Sequence, residues 1–305
     1  MDMSALLSKM FLFLVLMSIG YIGARRQIFT PEFTRAASKL AMNVFLSASI
    51  LHSVIANPPE LSGTALLQVL LVCSGVMLFG YAVAALLARL LPLKRERAPL
   101  FELLIAAMNP MFIGLPVAEV LYGSEGVFYA ALVNIPFNVL IYTYGVWRLK
   151  TGGEGGMRWR DILTVPLVVT FFAVLIFAFR IPMPAVVKEL VSSLAGATIP
   201  MSMIVVGASM GRVRLLDAFK EKSLYLVSLV RLIVVPVLTW LLLRLLPIDP
   251  ILRGTMLVVS ACPSGVIVSM LTLQYGRDAE YSSKGILLDT LLSMITIPVI
   301  VSLLP

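Results

Sequence analysis

The chain has 305 residues, of which 60% are hydrophobic and 13% charged, with a net charge of +8. Soluble globular chains hold about 25% charged residues, so water is not the main solvent of this one. One His and two Cys, Cys73 and Cys262, both set in apolar runs, exclude a Cys/His metal cluster and a disulfide framework, and the basic residues form no tract, which argues for membrane orientation and against nucleic acid.

In chain order, residues 1 to 26 read as a retained first span and not a cleaved leader, because the strongest basic pair, Arg25 and Arg26, follows the apolar run. A spanning helix needs about 20 mainly apolar residues. Ten such stretches follow one another, near 5–24, 37–56, 64–91, 100–122, 126–147, 162–179, 185–210, 224–246, 251–275 and 285–304. The longest polar insert, "RLKTGGEGGMRWRD" at 148–161, follows the fifth. Its glycines mark a flexible linker. The expected fold is therefore all-α: ten transmembrane helices as two inverted five-helix repeats, residues 1–150 and 161–305, joined by a linker at 151–160.

Charge sets the expected topology. Loops after odd-numbered spans, with the adjoining helix ends, carry Arg25, Arg26, Arg35 and Lys39; Arg89, Lys94, Arg95 and Arg97; Arg148, Lys150, Arg158 and Arg160; Arg212, Arg214, Lys220 and Lys222; and Arg277 and Lys284. The other face carries Lys9, Arg180, Lys188, Arg244 and Arg253. The positive-inside rule then places the linker in the cytoplasm and both termini outside, extracellular or periplasmic.

The inverted repeat leaves traces. "LARLLPL" at 87–93 recurs as "LLRLLPI" at 242–248. At a constant offset of 153, Pro110 matches Pro263, Tyr122 matches Tyr275, Gly123 matches Gly276 and Glu125 is answered by Asp278. Both fourth spans are broken by proline, which removes a helix hydrogen bond. Unpaired backbone in lipid is tolerated only where protein or a wet cavity covers it. Matched proline breaks in inverted halves are the sequence pointer to a transporter site. Each break creates a half-helix N-terminus with free N–H donors and partial positive charge, a site for an anion. An ordinary proline kink is the bland alternative for either span alone.

"NPMFIGLPV" at 109–117 resembles the fourth-span motif of the auxin efflux carrier family, approximately N-x-G-F-x-G-x-P-L in bacterial members. Asn109, Phe112, Gly114 and Pro116 match, whereas Met111 and Val117 stand for Gly and Leu. "TIPMSMIVVGASMGR" at 198–212 resembles the family's seventh span, and "YGRD" followed by "SSKGILLDTLLSMITIP" its ninth-to-tenth junction. The resemblance implies a fold like the sodium–proton antiporters and bile-acid symporters, with spans four and nine crossing at Asn109–Pro110 and Cys262–Pro263. It also implies transport of small organic anions, auxin-like or malate-like carboxylates.

The expected substrate residues are Asn109, Pro110, Gly114, Cys262, Pro263, Ser264 and Gly265, with Asn43 and Asn134 on polar stripes that line a cavity or join helices. Asn138 shares the face of Asn134, and Ser47 that of Asn43. Coupling or gating candidates are Arg231, Glu119 and Asp289. Arg231 either faces protein or snorkels to the surface. Asp289, where the family usually has a small residue, pairs with Arg231, carries a proton or sodium, or reaches the aqueous interface. Glu102 and Glu119, at opposite ends of span four, are expected in interfacial water. Gly207 and Gly211 mark close helix packing. No metal and no cofactor is expected; the partners are the anion and the lipid bilayer, with a homodimer left open.

Other classes fit less well. No Walker A loop supports an ATP-driven pump. "CPSGV" lacks the Gly-x-Ser-Gly of intramembrane serine proteases, Asp278 and Asp289 lack Gly-x-Gly-Asp, and no pore motif indicates a channel. The nearest alternative is a sodium-coupled bile-acid-type symporter on the same fold.

Overall fold

A computed structural model describes residues 3–55, 63–150, 164–211 and 213–303. The expected linker at 151–160 lies outside the described residues, as do Arg158, Arg160 and Arg212. Among the described residues the chain is helical, with no strand beyond one isolated bridge. Seven helical stretches among them are long and apolar enough to cross a membrane. Many large apolar side chains face outward, Phe11, Leu71, Leu86, Phe171, Val186 and Ile295 among them. Serine, threonine and asparagine are buried in the centre. This is the pattern of a chain solvated by hydrocarbon.

The elements run α1 (Met3–Arg25), α2 (Pro31–Ile55), α3 (Gly63–Leu90), α4 (Ala98–Ala106), α5 (Pro110–Leu149), α6 (Val165–Phe179), α7 (Ala185–Met210), α8 (Leu215–Lys220), α9 (Lys222–Arg244), α10 (Pro250–Ala261), α11 (Val266–Gln274) and α12 (Ala279–Leu303). Helix starts follow local chemistry. Pro31, Pro166 and Pro250 sit in first turns, where a missing N–H costs nothing. The preceding Thr30, Thr164 and Asp249 accept from first-turn N–H groups, Asp249 from Ile251 and Leu252 at 2.8 and 2.9 Å.

The apolar run expected at 251–275 is two helices, α10 and α11, and the run at 100–122 is α4 followed by the start of α5. α5 is 40 residues long, twice what one crossing needs. It turns at Gly123, whose φ of 60° and ψ of −149° no ordinary side chain adopts readily. Gly276, which ends the α11 segment, also has positive φ, 64°.

α1 and α7 pack closely. A Cβ on Gly207 would lie 1.9 Å from the Met17 carbonyl, so only glycine allows this approach. At the end bearing the charged loops, Arg97 before α4 donates to Glu221 at 2.9 Å and lies over the Tyr281 ring. Ser223 donates to the same carboxylate at 3.0 Å. Nearby, Arg277 donates to the Leu149 carbonyl at 2.8 Å. Both contacts tie the first half of the sequence to the second.

Candidate functional site

The site begins where α4 stops. Ala107 leaves helical geometry, and Asn109 is extended enough to start a new helix at Pro110. Its side-chain oxygen accepts from the Phe112 N–H at 3.2 Å, an N-cap that fixes the new helix axis. α10 stops in the same way. Cys262, before a proline, is extended, as is Gly265, and α11 starts at Val266. The two non-helical pieces lie side by side and antiparallel. Asn109 N donates to the Pro263 carbonyl at 2.9 Å, and Gly265 N donates to the Ala107 carbonyl at 2.7 Å. Each break thus satisfies backbone groups of the other, which is how irregular backbone survives inside a membrane protein. A Cβ on Gly265 would sit 2.8 Å from the Met108 carbonyl, so this residue must be glycine for the pieces to touch.

Arg231 holds the crossing from below. It lies in a π turn, Val230–Val234, shortly before Pro236. Proline at 236 cannot bond to the carbonyl of residue 232, which loosens the preceding turn. The guanidinium is fully buried, so Arg231 does not snorkel. Nε donates to the Cys262 carbonyl at 2.8 Å, Nη1 to Ile105 at 3.1 Å and Nη2 to Ser260 at 2.7 Å. These carbonyls end α4 and α10, so one cation neutralises the negative ends of two half-helices.

Asp289, on α12, is fully buried and does not reach an aqueous interface. Its Oδ1 accepts from Ser228 at 2.5 Å, and its Oδ2 meets the Ser264 hydroxyl. Ser264 Oγ also lies 2.5 Å from the Leu104 carbonyl. Asp289 and Arg231 form no ion pair within 4.0 Å among the described residues; the crossing stands between them.

The polar residues on the other side of the crossing are less saturated. Asn109 is 4% exposed and its Nδ2 has no partner. Gly114 lies one helical turn on, where a Cβ would come within 3.3 Å of Cys262 Sγ. Asn134 is buried, its amide on Met111 Sδ, and Asn138 donates to the Asn134 carbonyl at 2.8 Å. Asn43 is half-buried in a second π turn, Ala41–Leu46, which packs against Pro110–Gly114. Glu119 lies about 15 Å further along the axis than Asn109, at 1.5 Å per residue. It is half-buried, with one carboxylate oxygen lacking a partner, and stands apart from the crossing.

Two features have no local sequence signal. Ser202 on α7 is fully buried with an unpartnered hydroxyl, and its helix packs against Pro110–Gly114. Glu102 is 1% exposed, not in interfacial water as expected. Arg148 donates to it through Nε at 2.7 Å, and Tyr144 through its hydroxyl. The partner lies 46 residues away, on a different helix, so composition around Glu102 could not reveal it.

Comparison with known proteins places the chain among membrane transporters. A family model described as membrane transport protein matches the chain twice, over residues 5–158 and 155–301. An uncharacterised transporter of Methanothermobacter thermautotrophicus is 23% identical over 287 residues, covering 93% of this chain and 94% of the relative. One of Methanocaldococcus jannaschii is 24% identical over 294 residues, with the same coverage. The twofold match spans nearly the whole chain, and the protein belongs to the membrane transport protein family that includes the auxin efflux carriers.

Proposed function

We propose that the protein is a secondary transporter that moves small organic anions by alternating access at the crossing of the two broken spans. In this reading ten spans form two inverted five-helix repeats, 1–150 and 161–305, with the 151–160 linker cytoplasmic and both termini outside. A contact between the halves, away from the crossing, supports the repeat. Phe45 and Thr198, which are 153 positions apart, touch through a 2.8 Å hydrogen bond, as residues on a pseudo-two-fold axis would. Gly123 and Gly276, at the same offset, both have positive φ.

The observation that carries the anion reading is the Asn109 amide. Its oxygen is spent on the helix cap, which leaves Nδ2 as a buried donor with no partner, beside the N-terminus begun by Pro110. That N-terminus adds N–H groups with no intrahelical acceptor and a partial positive charge. The amide, with those N–H groups of the helix begun by Pro110 that neither the Asn109 cap nor the chain itself engages, would hold a carboxylate without a buried cation of their own; after Pro263 the Gly265 N–H is already spent on Ala107, so that break adds only the N-terminal partial charge of α11. Arg231 is occupied by carbonyls, so it does not clamp the substrate, and release stays possible. Ser264 is turned to Asp289, so its contribution would pass through that carboxyl.

Thermal stabilisation of purified protein by a panel of carboxylates tests this. A ligand at 100 times its Kd adds about 2.7 kcal/mol to stability. Asn109→Ser keeps an N-cap oxygen but removes the amide donor, and is expected to weaken binding about tenfold, the value of roughly one hydrogen bond to a charged group. Unchanged affinity in Asn109→Ser would remove the amide from the site. Uptake that requires a sodium gradient would favour the bile-acid-type symporter.

A further inference from the structure

We propose that Asp289 carries a proton while the anion is bound, making the protein a proton–anion cotransporter in which Ser264 relays the state of the carboxyl to the crossing; this rests on the anion site proposed above.

The argument is a count of hydrogens. Around Ser264 and Asp289 there are three short hydroxyl contacts, Ser228 Oγ to Asp289 Oδ1, Ser264 Oγ to Asp289 Oδ2, and Ser264 Oγ to the Leu104 carbonyl, and the Ser264 N–H also donates to the Asp289 carboxyl without changing what the hydroxyls must do. A carbonyl only accepts, an ionised carboxylate only accepts, and each serine hydroxyl has one hydrogen to give. With Asp289 ionised, Ser264 can satisfy either the carboxylate or the carbonyl, and the other contact sets two acceptors face to face at full burial. One added hydrogen resolves it. Asp289 Oδ2–H donates to Ser264, Ser264 donates to Leu104, and Ser228 donates to Oδ1. Every contact then joins a donor to an acceptor.

The location gives the proton a consequence. Ser264 forms the bridge with Met108, next to Asn109. Loss of the proton pulls the Ser264 hydroxyl from Leu104, at the end of α4, to the carboxylate, and so loosens a contact between the halves at the crossing itself. Charge acts in the same direction. Arg231, bonded to the Cys262 carbonyl two residues before Ser264, is a buried charge on the far side of the same short segment from Asp289. With the proton on, the surroundings of the crossing are net positive and favour an anion; with it off, the Asp289 charge opposes Arg231 and favours release. Linkage then requires that the anion tighten proton binding by the factor that the proton tightens anion binding. The proton arrives from hydronium, forms the Oδ2–H bond, and leaves to water on the far face.

The other ionisable groups on elements packed against α12 are engaged or remote. On α4, Glu102 is held by Arg148 and Tyr144. On α8, Asp217 pairs with Lys220. On α12 itself, Glu280 pairs with Lys284, and Tyr281 bonds Ser223. On α1, the Tyr21 hydroxyl bonds the Val213 carbonyl, and Lys9 and Arg25 stand near its ends. α10 has Arg253 in its first turn and the Cys262 thiol at its end, which donates to the Val258 carbonyl. α9 adds Lys222 at its start, Tyr225, whose hydroxyl donates to the Phe219 carbonyl, and Arg244 at its far end over the Trp240 ring, whereas α7 within 198–210 and α11 have no ionisable side chain.

Two measurements test the proposal. Difference infrared spectra of wild type and Asp289→Asn are expected to show the carbonyl stretch of a protonated carboxylic acid in wild type and its loss in the variant. Binding of labelled malate, lactate and indole-3-acetate is expected to weaken about tenfold per pH unit once the proton leaves, and whatever binding Asp289→Asn retains is expected to be flat with pH. In proteoliposomes the variant should not accumulate the probe against its gradient when driven by a pH difference. A missing infrared band, pH-independent wild-type binding, or pH-driven accumulation by Asp289→Asn overturns the proton. If none of the three probes binds at any pH while the band is present, the anion site is overturned and the fault lies there. Should Asp289→Asn not fold, Ser264→Ala replaces it in the binding arm: without the relay hydroxyl, the pH slope is expected to flatten, and an unaltered slope overturns the relay.

Discussion

Arg231 makes three hydrogen bonds to three carbonyls from two half-helices, and this geometry depends on the fork of a guanidinium. A lysine has a single nitrogen and cannot span Ile105, Ser260 and Cys262 together. Removing a partner from a buried charged cluster typically costs about 3–5 kcal/mol. Arg231→Gln is therefore expected to yield little folded protein, and Arg231→Lys a lower melting temperature with folded protein recovered. Size-exclusion profiles and thermal melts in detergent check both; a wild-type melt in Arg231→Gln would mean that the carbonyl ends find other donors. Proline, asparagine and an intramembrane arginine are strong local signals, so Asn109, Pro110, Pro263 and Arg231 could be singled out from sequence. Their contacts could not, because Arg231 and the Ile105 carbonyl, like Glu102 and Arg148, meet only after separate helices have packed.

At the level of elements, the crossing is two short antiparallel pieces whose contact depends on Gly265. Gly265→Val places branched carbon where the Met108 carbonyl lies 2.8 Å from the Cβ position. Overpacking of this kind costs about 1–3 kcal/mol, and it should act first on the two backbone bonds at Ala107 and Pro263. The expected result is faster hydrogen exchange of the Asn109 and Gly265 amides with most of the helical signal kept. Unchanged exchange there would show that the crossing tolerates the side chain. Hydropathy alone merges 251–275 into one run, and Pro263 within it marks the break between the two helices found there. Hydropathy could not show the four π turns, in α2, at the start of α5, later in α5 and in α9, because each is a one-residue change in hydrogen-bond register with no compositional mark.

Across the whole molecule, the halves are tied at the charged end by Arg97, Glu221, Ser223 and Tyr281. Burial alone would raise Glu221, but hydrogen bonds from Arg97 and Ser223 and the charges of Arg97 and Lys284 outweigh it and hold the carboxyl below its ordinary range. A depressed carboxylate contributes stability above its ordinary range and loses it as pH falls through the depressed value. Wild type should therefore lose its small advantage over Glu221→Gln on acidification. A half-exposed pair is worth at most about 1 kcal/mol, so the difference in melting temperature should be small at neutral pH and vanish in acid. A gap that persists or widens in acid would assign the advantage to packing.

The antiparallel contact at the crossing also bears on how such a protein can diverge. Its bonds run from main chain to main chain, and most of the donors offered to an anion are main-chain N–H groups as well. Such a recognition surface is nearly blind to the identity of the side chains around it. The cavity walls can therefore drift, and with them the shape of the molecule carried, while the charge preference at the centre persists. A lineage built on this crossing can acquire a new cargo by substitutions at wall positions without first dismantling the part that binds.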